Sequence, residues 1–145
     1  MKIDWRQNPE YLAAAASALG FESFGNAHHL SVVDSQGELA LIWVYHNFAE
    51  MNCEITVVSF QGIVYTPRIL SSLFAYPFFQ LGLRRVTAVI RADNQRSLEQ
   101  TRRMGFRVEG LLRNWYPDCH GILHGLLREE CKWVANLKPQ PRPIP

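Results

Sequence analysis

Cysteine is scarce in this chain of 145 residues: Cys53, Cys119 and Cys131, an odd number without framework spacing. That excludes a disulfide-stapled scaffold and makes reduced thiols in the cytoplasm the expectation. An excess of charge of one sign is also lacking. Fifteen Lys and Arg against 13 Asp and Glu leave a formal net charge of +2, too little for bulk attraction to nucleic acid. No apolar run approaches the ~20 residues a membrane span needs. Met1-Lys2-Ile3-Asp4-Trp5-Arg6 lacks the pattern of a signal peptide. Internal repeats and linkers are missing as well. What remains is an ordinary globular composition, 48% hydrophobic and 19% charged. At this length it predicts one domain that buries about two-thirds of its unfolded surface.

Asn8-Pro9 sets a cap before a proline at the first helical position, opening an alanine-rich helix that stops near Gly20. Phe21 to Ala27 reads as irregular. Leu30 to Asp34 is then a strand, Ser35-Gln36-Gly37 a hairpin turn and Glu38 to Tyr45 its partner. A polar break precedes a β-branched strand, Glu54 to Ser59. Thr66-Pro67 repeats the cap-then-proline helix start, with Ile69, Leu70, Leu73, Phe74 and Leu81 at helical spacing. Pro77 is expected to kink or divide that helix. Arg85 to Arg91 is a further strand, and Ser97 to Met104 a helix capped at Asp93 or Asn94 and closed by Gly105. Phe106 to Tyr116 and Ile122 to Val134 form a hairpin. Residues 137–145 are rich in proline and predict a flexible extended tail after a domain over residues 1–136. The fold class expected is α+β (mixed α/β), with helices flanking one twisted mixed central sheet.

Several residues carry two readings. Glu54 at a strand start can be a general base or the partner of a nearby cation. Asn94 and Ser97 can hold a ligand or simply cap a helix. Arg84-Arg85 and Arg102-Arg103 can meet phosphate or complement helix ends. Glu109 and Arg113 can pair with each other or wall a site. Cys119, His120, His124 and Cys131 match no common zinc spacing, so no metal site is expected. The aromatics Tyr76, Phe78, Phe79, Trp115, Tyr116 and Trp133 read as core or hairpin-face residues.

The run Asn94-x-x-Ser97, a helix, Gly105-Phe106 and Glu109-Gly110-x-x-Arg113, with Glu54-Ile55 opening the earlier strand, resembles the GNAT N-acetyltransferase superfamily. Within it the likeness is to the ribosomal-protein and amino-acid N-acetyltransferase branch. Phe74 to Phe78 and Arg128 to Trp133 look like its compact bacteriophage-encoded members. The resemblance covers about residues 30 to 134. It implies an acetyl-CoA-dependent transfer of an acetyl group to an amine, either peptide, amino acid or small amine. It also implies splayed fourth and fifth strands, with backbone groups of Val57, Val58 and Ser59 receiving the pantetheine arm. The pyrophosphate would rest on the loop from Gly62 to Thr66 and the following helix, with Arg68 the nearest cation and Asn94 and Ser97 alongside. Glu54 would be the base.

Three departures stand against the family pattern. Val64 and Thr66 occupy the places of loop glycines, Thr101 the place of a tyrosine acid, and the segment before the first strand is short. The alternative the departures raise is a catalytically decayed domain that engages a protein partner. Exposed edges of the last hairpin would suit a homodimer.

Overall fold

A computed structural model describes residues 1–135 and 137. The tail expected over 137–145 therefore lies outside the described residues, except for Leu137. Seven strands form one sheet: β1 (Lys2–Asp4), β2 (Ala27–Val33), β3 (Leu39–Ala49), β4 (Asn52–Ser59), β5 (Arg85–Arg91), β6 (Arg107–Leu112) and β7 (Gly121–Leu127). Their spatial order is β1-β2-β3-β4-β5-β7-β6. Every neighbouring pair is antiparallel except β4 and β5. The mixed sheet flanked by helices is the architecture the sequence predicts.

The three helices begin where their caps say. In α1 (Pro9–Ala18) the Asn8 side chain accepts from the Glu10 amide, and in α2 (Pro67–Ala75) Thr66 accepts from Ile69. In α3 (Gln95–Met104) Asn94 accepts from Ser97, and Gly105 closes the helix at φ +106°, a conformation that favours glycine. α2 ends at Ala75, two residues before Pro77, and the chain continues as a π-helical turn, Tyr76–Gln80, in which Leu81 N–H reaches the Tyr76 carbonyl at 3.0 Å, so the helix is divided as expected. The Leu73 carbonyl, which an N–H at position 77 would have served, accepts from the Tyr45 hydroxyl at 2.7 Å.

Several boundaries differ from the expectation: β3 runs on to Ala49 where Tyr45 was the expected end, and β4 starts at Asn52 ahead of Glu54. β1 went unread, because three residues show no periodicity. β2 begins at Ala27, so His28 and His29 are inside a strand, where buried polar contacts hold them. The His28 ring meets the Tyr76 hydroxyl at 2.8 Å, and His29 Nε2 accepts from the Asn8 amide at 3.0 Å. β6 stops at Leu112 and β7 at Leu127, both short of the hairpin ends expected at Tyr116 and Val134. Asn114 turns the chain at φ +52°, and Glu130 accepts from the Leu127 amide to set a 3-10 turn over Arg128–Glu130.

The two sheet faces are covered unequally. α2, Met104 at the end of α3, and Phe106 pack on Leu30, Trp43, Tyr45, Ile55 and Val86. The polar tips in that core are satisfied: Trp43 Nε1 donates to Tyr65 and the Tyr45 hydroxyl to the Leu73 carbonyl. On the other face Ala15 of α1 packs on Ile42, Val44 and Val58. Among the described residues no helix is long and apolar enough to cross a membrane.

Two stability outcomes follow from this packing. A Cβ at Gly121 would stand 2.7 Å from Val89 Cγ1 and 3.1 Å from Trp115 Cβ, whereas one at Gly62 would meet nothing within 4 Å. Gly121→Ala should therefore cost about 1–3 kcal/mol in urea unfolding, with Gly62→Ala near neutral. Burial also holds the imidazoles of His28 and His29 below their ordinary pKa of 6.5. The fold keeps both neutral, so their stabilisation is present above pH 6.5 and is lost as pH falls through their lower native values. The urea midpoint should drop between pH 7.5 and 5, and His29→Asn should flatten that dependence.

Candidate active site

The parallel ladder between β4 and β5 is only three pairs long: Asn52 with Arg85, Cys53 with Val86 and Glu54 with Thr87. Beyond it β4 stays paired to β3 as far as Ser59, and β5 stays paired to β7 as far as Arg91. Each strand is thus held from its outer side while the inner edges part. The result is a wedge-shaped opening with Glu54 and Thr87 at its apex. Val57, Val58 and Ser59 lie along one margin, Ala88 to Arg91 along the other. Because β4 and β5 run parallel, the segments after them emerge at the same sheet edge. The N-termini of α2 and α3 therefore both sit at the wide end, the usual place for a ligand in parallel sheets.

At the α2 side the loop is pinned by Gln61, whose backbone amide donates to the Ala40 carbonyl and whose side-chain amide donates to Asp34 at 3.0 Å. The amides of Gly62, Ile63, Val64, Tyr65, Thr66 and Arg68 donate to no acceptor among the described residues. Val64 is 86% exposed, so its branched side chain lies outside the loop. The Thr66 hydroxyl is engaged inward as the cap, 3.2 Å from the Ile69 amide. Arg68 is exposed and forms no ion pair among the described residues. A run of free amides ahead of a helix dipole is a cradle for an anion.

At the α3 side Asn94 Oδ1 accepts from the Ser97 amide at 3.1 Å. Its role in the structure is the cap, which leaves its NH2 group free. Thr101, standing where the family has a tyrosine, is 8% exposed and donates to the Ser97 carbonyl at 2.6 Å. It is a helix-packing residue without access to the opening. Arg91 is spent on Asp93 and Asp118, at 3.0 and 2.8 Å, and lies over the Tyr116 ring. Arg102 and Arg103 both pair with Glu99 at the last turn of α3.

The apex is polar on the α1 side of the sheet. Thr87 Oγ1 donates to Asn52 at 2.7 Å and accepts from Arg85 Nε at 3.0 Å. Arg85 then reaches Glu109, with Nη1 3.0 Å from Oε2. Glu109 is therefore paired across the sheet with Arg85 and not with Arg113. Room for that pair comes from Gly125, where a Cβ would stand 2.6 Å from Arg85 Nη2.

Glu54 itself has no hydrogen bond and no ion pair to any described residue. Its neighbours are His46, directly across from it on β3, and Tyr116, whose phenol senses its charge. Burial raises the Tyr116 phenol above its ordinary pKa, against the opposite pull of Arg91. Residue pattern alone had set Tyr116 among hairpin-face aromatics and passed over His46. Only the strand register shows that His46 faces Glu54. Among the described residues no cluster of three or more His, Cys, Asp or Glu could hold a metal ion.

No protein-family profile matches the chain. Among curated proteins, the uncharacterized N-acetyltransferase YoaA of Bacillus subtilis (strain 168) is 34% identical over 70 residues. The match covers 48% of this chain and 39% of that protein, about two-fifths of its length. Among solved structures, spermidine N-acetyltransferase from Vibrio cholerae in complex with CoA and spermine superposes with a TM-score of 0.65 at 16% identity, over 84% of this chain and 75% of that one. The ribosomal-protein-S5-alanine acetyltransferase from Vibrio fischeri gives 0.64 at 19%, over 73% and 64%. The protein is thus an α+β domain opened between two parallel strands. Its fold is that of the GNAT N-acetyltransferases.

Asn94→Ala should cost about 1 kcal/mol of stability, the worth of a helix cap, while Asn94→Asp should keep it. Thermal unfolding of the two variants checks the assignment.

Proposed function

We propose that this chain is an acetyl-CoA-dependent N-acetyltransferase acting on an amine. The observation that carries the reading is the parting of β4 from β5 immediately after Glu54, which leaves an unpaired carboxylate at the apex. The names of the relatives, which are amine acetyltransferases, support the same reaction class.

The residues fit the cofactor. The six free amides from Gly62 to Arg68 and the α2 dipole suit the diphosphate, with the Arg68 guanidinium within the same segment for a further phosphate. The open edge of β4 at Val57, Val58 and Ser59 suits the amides of the pantetheine arm, and Asn94 and Ser97 close the opposite margin. When bound, acetyl-CoA supplies an acyl group activated as a thioester. Glu54 would take the proton from the acceptor ammonium and so expose the nitrogen lone pair. A β4 amide near Val58 would donate to the carbonyl oxygen as negative charge gathers there. The C–N bond would form as the C–S bond breaks, and the second proton, shed by the nitrogen that has attacked, would go to the leaving thiolate. Thr101, buried and bonded to the Ser97 carbonyl, would supply no acid. Much of the acceleration would come from holding the reactants together.

The acceptor would approach from the α1 face, where the loop after α1 replaces the longer wall of the family. Phe21 and Phe24 line it, their rings 5.7 Å apart. Val108 and Leu111, exposed on the edge strand β6, offer a surface for a homodimer. One observation favours the second reading, a protein-binding domain without catalysis: Val57, Phe60 and Val64 leave exposed apolar surface at the wide end of the opening.

Titration calorimetry with acetyl-CoA and with desulfo-CoA decides. The transferase reading expects binding in the micromolar range, weakened at least tenfold by Gly62→Phe. Glu54→Gln should leave that affinity intact and lower kcat by roughly 10²-fold or more on whichever amine a screen of peptides, amino acids and polyamines identifies. No heat at millimolar cofactor would overturn the reading in favour of the binding domain.

A further inference from the structure

His46 is a buried residue that neither the fold nor the reaction above uses. It lies directly opposite Glu54 in the β3–β4 ladder, so the two Cβ atoms share a face about 5 Å apart. Its Nε2 bonds Thr56 Oγ1 at 2.7 Å, which ties the ring diagonally across to β4. Phe24 packs its ring against the imidazole at 5.3 Å. The regular ladder is interrupted just beyond it, with Asn47 at φ +50°, and pairing resumes only at Ala49 with Asn52. The groups that face it are Glu54 and Thr56 from β4, Phe24 from the loop after α1, and Asn47 beside it. Glu54 alone among them carries charge.

We propose that His46 is the positioning residue for Glu54: tied to Thr56 and packed by Phe24, its ring fixes the wall beside the carboxylate without pairing with it. The proposal rests on the reading of Glu54 as the base. A lysine or arginine at position 46 would give a permanent ion pair and quench the carboxylate. An apolar residue would lose the tie to Thr56. Neutral histidine avoids both, and burial favours that neutral form against the opposing pull of Glu54. Protonation of His46 in acid would create the cation that Glu54 otherwise lacks, pair with it and withdraw the base.

The test follows the side-chain carboxyl resonance of Glu54 by 13C NMR from pH 8 to pH 4, assigned by its loss in Glu54→Gln. In the unsubstituted protein the resonance should show a separate inflection that coincides with the titration of the His46 ring. In His46→Gln, which keeps a donor for Thr56, that inflection should vanish. A single inflection unrelated to His46 overturns the proposal. That comparison stands on the unsubstituted protein alone should the variant not fold, and it needs no turnover. In acetyl transfer the acid limb of kcat/KM should move to lower pH by about one unit or more in His46→Gln, and an unshifted limb also overturns it. Absence of turnover in the unsubstituted protein strikes the transferase reading and leaves the NMR result to decide this one.

Discussion

Everything at the site depends on how short the ladder between β4 and β5 is. Two parallel strands joined by a helical crossover ordinarily pair along their length, and each further pair would satisfy more backbone groups. Here the pairing ends after Glu54 and Thr87. The outer neighbours supply the restraint, since β3 holds β4 to Ser59 and the β6–β7 hairpin holds β5 to Arg91. Each half-sheet can then follow its own twist, and the wedge between them costs only the inner-edge bonds. Backbone groups left along that edge are not taken up by the neighbouring strand.

The second dependence is on caps. α2 and α3 both start at the wide end of the wedge, and each is begun by a side chain that serves its own helix: Thr66 to Ile69 and Asn94 to Ser97. Caps of this kind fix where the helix starts, hence where its dipole ends and which amides stay free. The glycines a phosphate loop normally shows are one means to that end. Here the same end is met with Val64 turned outward and Gln61 pinning the loop to Ala40 and Asp34.

The architecture was largely legible in the sequence, for physical reasons. Cap-then-proline pairs at Asn8-Pro9 and Thr66-Pro67 and the glycine after Met104 act locally, so they read correctly from neighbours alone. Features set by distant partners did not. β1 is a strand only because β2 offers it an edge. His28 and His29 lie ahead of the strand expected from Leu30, yet Tyr76 and Asn8 make them tolerable inside the sheet. For Glu109 a pair with Arg113 and a place in the wall of a site were both open, because strand alternation is visible in one dimension. Its actual partner, Arg85, is reached across β7 over a glycine whose purpose only the folded sheet reveals. Glu54 was recognisable as a residue type at a strand start. That it would lack a cation was not.

The distribution of charge around the apex gives that lack its meaning. Glu109 is matched by Arg85, Asp93 and Asp118 by Arg91, and Glu99 by Arg102 and Arg103. These pairs are largely exposed, so each stabilises little. Glu54 is left without a counter-ion among the described residues, beside the buried ring of His46. Under the transferase reading, the cation that would complete it is the ammonium of the acceptor. The burial of His46 and the engagement of Arg85 and Arg91 thus act together: the residue facing Glu54 across the ladder is tied to Thr56, and these two guanidinium groups are held by other carboxylates.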